Sequence, residues 1–164
     1  MSDSSTVLRS LLEYLRESGF EVTEEGEDVI SLPIDAENGS WTAYGIGREQ
    51  QRQLLFYSVV PETVPDVGQM ALFVTRANFG LALGNFELDL DDGELRYKTS
   101  IDAQGAELSR ALLEHLVLAN FAVVNRYLPG IRAVAAGMDA ALAIEAIEGH
   151  HHEHEHEHEH EHEH

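Results

Sequence analysis

Three patterns in this 164-residue chain point to one α+β domain, with helices packed on a largely antiparallel sheet of about five strands. Apolar residues recur at helical spacing near both ends of the body. Short runs rich in β-branched and aromatic residues lie between them. The connections joining those runs are brief and polar, which favours neighbouring strands in antiparallel order. The predicted order is α-βββ-α-ββ-α(α).

The first helix is expected from Thr6 to Ser18, where Leu8, Leu11, Leu12 and Leu15 make one apolar stripe. Ser4 or Ser5 is placed to cap its start, and Gly19 to end it, with Phe20 folding back on the last turn. Three strands follow: Asp28 to Ile34, Trp41 to Ile46 and Leu54 to Val60. The first alternates Ile30, Leu32 and Ile34, and Asp35–Ser40 is a turn. Gly45 and Gly47 mark the expected fraying of the second strand. After Pro61 and Pro65, a second helix is expected from Asp66, its cap, to Phe79.

Asp92-Gly93 favours a two-residue hairpin turn. With Asp91 opposite Glu94, Leu90 faces Leu95, Leu88 faces Tyr97 and Phe86 faces Thr99. The same register sets Asp89 against Arg96 and Glu87 against Lys98. A long helix is expected from Ala106 to Tyr127. One stripe is Leu108, Leu112, Leu116, Ala119, Val123 and Tyr127; a second is Leu113, Val117, Phe121 and Val124. A surface this wide is buried on two sides or meets a partner, and the second stripe is the predicted partner or dimer surface. Pro129 should interrupt or kink the helix, with a last helix from Ile131 to Ile147.

The composition excludes several functions. Formal charge is −20. The tail after Gly149 holds six glutamates and no lysine or arginine, which leaves −14 on the body. Such a body repels phosphate backbones and anionic lipid, so neither nucleic acid nor membrane is an expected partner. The simplest reading of the charge is solubility. No apolar run approaches the roughly 20 residues of a bilayer span, and Met1–Ser5 does not read as a signal peptide. With no cysteine, disulfides, thiolate metal sites and thiol nucleophiles are excluded, and a reducing, cytoplasmic setting fits.

The domain is expected to span residues 1–149, and residues 150–164 to form a disordered tail without an apolar face. The tail carries His150, His151, His152, His154, His156, His158, His160, His162 and His164. Clustered neutral imidazoles bind divalent transition metals, so these are the predicted metal-ligating residues. Two origins fit the tail: a native low-complexity segment or an added purification tag.

The body holds no recognisable catalytic site. Asp89–Glu94 fails as a calcium loop, because Gly93 stands at the fifth position rather than the sixth. His115 lies mid-helix without a nucleophile context. Gly45-Ile46-Gly47 lacks the rest of a dinucleotide loop, and there is no phosphate loop. Asn120 and Asn125, in an apolar helix, are read as bridging buried backbone groups.

The stretch Val74–Leu95, with Asn78, Gly84 and Asp92-Gly93, resembles the YbjN domain family, described as bacterial sensory transduction regulators. The resemblance continues through Asn120–Asn125 and Tyr127-Leu-Pro129-Gly-Ile131, and covers about Thr6 to Met138. It implies a type III secretion chaperone-like fold, a protein partner or a second copy, no cofactor and no catalytic residues. The leading expectation is a non-enzymatic protein-binding module, chaperone-like or regulatory, acting as a homodimer. The alternative is a metal-buffering or metal-sensing protein that uses the tail.

Overall fold

The computed structural model describes residues 6–159, with side chains as far as residue 149. Its elements are α1 (Val7–Glu17), β1 (Thr23–Glu24), β2 (Val29–Ala36), β3 (Gly39–Arg48), β4 (Gln53–Val59), α2 (Val67–Gly80), β5 (Asn85–Leu88), β6 (Leu95–Asp102), α3 (Arg110–Ala135) and α4 (Ala140–Glu159). The strands form one antiparallel sheet in the order β1-β2-β3-β4-β6-β5. It has six strands rather than about five. The addition is β1, too short and polar to show a period, held where Glu25 N–H donates to Val29 O at 2.9 Å.

Alternation along the strands decides which face is dry. Trp41, Ala43, Gly45 and Gly47 of β3 are buried, while Ser40, Thr42 and Arg48 are exposed. Leu54, Phe56 and Ser58 of β4 and Leu95, Tyr97 and Thr99 of β6 continue the dry face. The helices cover that face. α1 lies over β2 and β3, α3 over β4 and β6, and α2 beside β5; α4 closes over α2 and α3.

Local chemistry sets the helix ends. Thr6, rather than Ser4 or Ser5, caps α1 by accepting from Arg9 N–H at 3.0 Å; Ser4 and Ser5 lie outside the described residues. The Glu49 carboxylate accepts from Val7 N–H at 3.0 Å and Leu8 N–H at 3.1 Å, a negative charge on a helix N-terminus. The expected fraying at Gly45 and Gly47 does not occur, because β3 runs on to Arg48. The glycines let α1 approach: a Cβ at Gly45 would lie 2.7 Å from Leu11 Cδ2, and one at Gly47 would lie 3.0 Å from Leu8 Cβ.

The β5–β6 hairpin keeps both predicted faces but not the predicted register. Leu88 stands opposite Leu95, Phe86 opposite Tyr97 and Glu87 opposite Arg96, a slip of two residues. The turn is longer than expected. Asp89 N–H donates to Glu94 O and Gly93 N–H to Asp89 O, both at 2.8 Å, with Gly93 at φ +78°. Carboxylates stabilise this loop: Asp89 accepts from Asp91 N–H and Asp92 from Glu94 N–H. Glu87 then reaches both Arg96 (2.8 Å) and Lys98 (3.1 Å).

α3 begins after its cap Ser109, not at Ala106, and runs through Pro129 to Ala135. Proline has no N–H for the carbonyl four residues earlier, that of Asn125. Here Asn38 Nδ2 donates to Asn125 O at 2.8 Å, and Asn38 N–H donates to Asn125 Oδ1 at 2.8 Å. The β2–β3 turn thus supplies the missing donor. α4 starts at Ala140, and its backbone extends to Glu159, past the boundary drawn at residue 149.

The centre of the core is polar and paired. Trp41 Nε1 donates to Ser58 Oγ (2.9 Å), and Ser58 Oγ donates to Asn120 Oδ1 (2.6 Å). Asn120 Nδ2 faces Phe56 O, Tyr97 O and Thr99 Oγ1 at 3.0–3.3 Å. The Thr99 hydroxyl donates to Leu116 O at 2.8 Å. No buried side-chain polar atom among the described residues lacks a partner. Removing the Asn120 amide strands several of these groups, at a cost of about 2–4 kcal/mol. Asn120→Ala should lower the unfolding free energy by that amount in urea denaturation. A change below about 0.5 kcal/mol would contradict the assigned role.

Candidate functional site

The predicted partner surface on α3 is not a surface. Leu113, Val117 and Val124 are buried within the chain, and Phe121 is half-buried. The Phe121 ring lies 5.5 Å from Phe56, 5.9 Å from Phe20 and 6.4 Å from Trp41, between centroids. The stripe is wide because the sheet takes one side of it and the α1 end takes the other. The predicted metal residues, His150 to His164, lie beyond the described side chains. His115 is exposed on α3.

The sheet edges, which could have accepted a partner strand, are closed. On the β5 edge, the Asn78 side chain of α2 accepts from Phe86 N–H at 2.7 Å and donates to Phe86 O at 3.1 Å. It occupies the positions a neighbouring strand would use. On the other edge, Val29 O points outward to Glu25 N–H. Positions two and four further along face the same way, so the absent N–H of Pro33 falls on that edge. A two-residue β1 and a proline leave little for an incoming strand.

The helix-free face is covered by its own long side chains. The Arg96 guanidinium stacks over Tyr57 at 4.2 Å while pairing with Glu87. A shallow depression of about 420 Å³ is lined by Ser40, Thr42, Tyr44, Val59 and Pro61, none of them acidic or basic. Another, of about 270 Å³, is lined by Glu87, Asp89, Glu94 and Arg96; Arg96 pairs with Glu87, and the Asp89 carboxylate accepts from Asp91 N–H. Among the described residues no three His, Cys, Asp or Glu side chains gather to hold a metal ion.

An apolar surface lies uncovered on α2. α2 buries Met70, Phe73, Val74 and Ala77. Its opposite side carries Leu72 (54% exposed) and Phe79 (95%), two turns apart, followed by Leu83 (60%) in the loop after it. The helix contains no acidic residue, and Arg76 is its one charge. This surface went unread in the sequence, where Phe79 looks like a helix end; the signal for it was an acid-free helix in a strongly acidic chain.

A family model for YbjN, described as "Putative bacterial sensory transduction regulator", matches residues 8–133. The chain belongs to the YbjN family. Among solved structures, this YbjN chain is similar to a chain in the HopA1-SchA chaperone-effector complex, at TM-score 0.52 and 17% identity, over 75% of this chain and 93% of that one. At that identity the likeness concerns the fold, which is the chaperone-like one expected. A chain from the complex of the Yersinia pestis type III secretion chaperone SycH with a fragment of YscM2 is more distant: TM-score 0.42, 16% identity, 71% of this chain and 92% of that one. Comparison with curated proteins gives no match. No helix among the described residues of the YbjN chain is long and apolar enough to cross a membrane.

The resolved pKa shifts belong to core tyrosines. Burial pushes the Tyr97 phenol up to about 12. Burial, and then its hydrogen bond to Glu148, push Tyr127 up to about 12. Both phenols are raised above the ordinary value of 10, so the unfolded chain loses these protons first as pH rises. Stability of the YbjN domain should therefore be unaffected by these groups below pH 10 and fall between pH 10 and 12. Urea midpoints at pH 9, 10 and 11 test this, and Tyr97→Phe should flatten the decline. A midpoint unchanged from pH 9 to 11 would contradict it.

Proposed function

We propose that this YbjN-family protein is a non-enzymatic protein-binding module, chaperone-like or regulatory, that acts in the cytoplasm as a homodimer joined through α2. The observation that carries the reading is the exposed surface of Leu72 and Phe79 on a helix without acids, continued by Leu83 in the loop after it. A Phe ring left 95% exposed is a large apolar area to keep in water. Two bodies of charge −14 repel unless they meet where acids are absent, and α2 offers such a place.

Symmetry helps. In a two-fold contact Phe79 of one copy can pack near Leu72 of the other, so one stripe serves both sides. A stable interface takes about 800 Å² from each partner, more than one helix stripe presents, so the loop 81–84 is included. Membership of YbjN and the fold shared with a chaperone–effector complex support the protein-binding half of the reading. Closed sheet edges favour contact through helices over strand addition. The absence of cysteine is compatible with a reducing compartment.

Analytical ultracentrifugation tests the dimer. The parent chain should sediment as a dimer at micromolar concentration. Phe79→Glu should sediment as a monomer with an unchanged far-UV spectrum, since the side chain touches none of the core. Leu142→Glu, at an exposed leucine on α4, should remain dimeric. A monomeric parent, or a Phe79→Glu chain that stays dimeric, would sink the α2 contact.

A further inference from the structure

The β2–β3 turn carries the chain's one Asn-Gly pair, Asn38-Gly39; the other asparagines precede phenylalanine or arginine. Such a pair is chemically labile. The Gly39 backbone nitrogen, once its proton has gone to a base, attacks Asn38 Cγ. The N–Cγ bond forms, the Cγ–Nδ2 bond breaks, and ammonia leaves with that proton. A water molecule then opens the cyclic imide at either carbonyl, leaving aspartate or isoaspartate at position 38. Glycine favours the attack because no Cβ obstructs it.

The fold demands both residues. A Cβ on Gly39 would lie 2.7 Å from Leu128 Cδ2 and 2.5 Å from Arg132 Nη2. The Asn38 amide is the donor that Asn125 O lacks, since Pro129 has no N–H. The same contacts restrain the reaction. Asn38 Nδ2 is held by Asn125 O and Asn38 N–H by Asn125 Oδ1, both at 2.8 Å. The nucleophile is engaged too. Val29 O points away from β3 and ladder pairs alternate, so Ala36 and Gly39 fall on a hydrogen-bonded pair. Arg132 acts in the opposite sense. Its Nη1 donates to Asn38 O at 2.5 Å, and its charge makes the Gly39 N–H more acidic. The site is primed by charge and blocked by geometry.

We propose that Asn38 is a deamidation site kept intact by its clasp to Asn125, and that it reacts when the end of α3 lifts from the β2–β3 turn. The product cannot rebuild the clasp. A carboxylate at position 38 has no N–H for Asn125 O and sets oxygen against oxygen. Isoaspartate also adds a backbone carbon to the turn. An opening that ends in reaction therefore leaves a permanent mark and a loosened α3. The proposal does not rest on the α2 contact.

Incubation of the full chain at pH 9, in buffer and unfolded in urea, followed by peptide mass mapping, tests the site. In urea, Asn38 should react before Asn78, Asn85, Asn120 and Asn125. In buffer its reaction should be at least about tenfold slower than in urea, because the rate follows the open population. Pro129→Ala returns an N–H to Asn125 O and frees the Asn38 amide while the helix stays complete. That chain should keep the parent's far-UV spectrum and deamidate at least about threefold faster in buffer. Asn38→Asp, the product made directly, should lower the urea midpoint of the parent, and lower it less in the Pro129→Ala background. Equal rates in buffer and urea, earlier reaction at another asparagine in urea, a Pro129→Ala rate equal to the parent's, or the same midpoint loss from Asn38→Asp in both backgrounds would each overturn the proposal.

Discussion

The structure depends on one buried amide. Asn120 sits under the sheet where β4 and β6 pair, and it is held from both strands: by Ser58, itself tied to Trp41 of β3, by the carbonyls of Phe56 and Tyr97, and by Thr99. Apolar packing alone would let a helix slide or rotate over a sheet at modest cost. A buried polar group that is satisfied in one position and stranded in others removes that freedom. With α3 fixed in this way, Asn125 comes to the β2–β3 turn, Arg132 reaches Glu62 and Asn38, and the end of α3 directs α4 across α2.

Asparagine recurs where this chain would otherwise be incomplete. Asn78 stands in for a strand beside β5, Asn38 and Asn125 complete a turn and a helix together, and Asn120 joins helix to sheet. An amide offers a donor and an acceptor without charge, so it can imitate a peptide group inside a protein. The result is a β5 edge closed from within the chain and a core with no unpartnered side-chain polar atom among the described residues. Of the helices, α2 leaves the most exposed apolar side chain, Phe79, in water.

The layout was legible because periodicity reports burial directly. Stripes of leucine in α1, the alternation in β2 and the short runs of β3 and β4 joined by brief polar turns left little choice of class or order. The chain gave less on matters of position. A hairpin slipped by two residues keeps each side chain on its face, so pairing by pattern could not distinguish Leu88 opposite Leu95 from Leu88 opposite Tyr97. The tiebreaker was the loop, where the acids hydrogen-bond to backbone N–H groups. The apolar stripes of α3 foretold burial but not what buries them, and Leu113, Val117 and Val124 were assigned to a partner when the chain's own sheet and helices cover them. The exposed α2 surface was missed because its residue types are those of any core helix. A proline in a helix reads as a break until a distant amide is known to stand beside it.

That distant amide makes α3 a composite element. Its hydrogen-bond ladder closes only with a donor 87 residues earlier in the chain. As a peptide cut from the protein, residues 110–135 would have a gap at Asn125 and should bend or fray there. Within the chain, the end of α3 and the β2–β3 turn are therefore coupled, and loosening either one strands polar groups of the other.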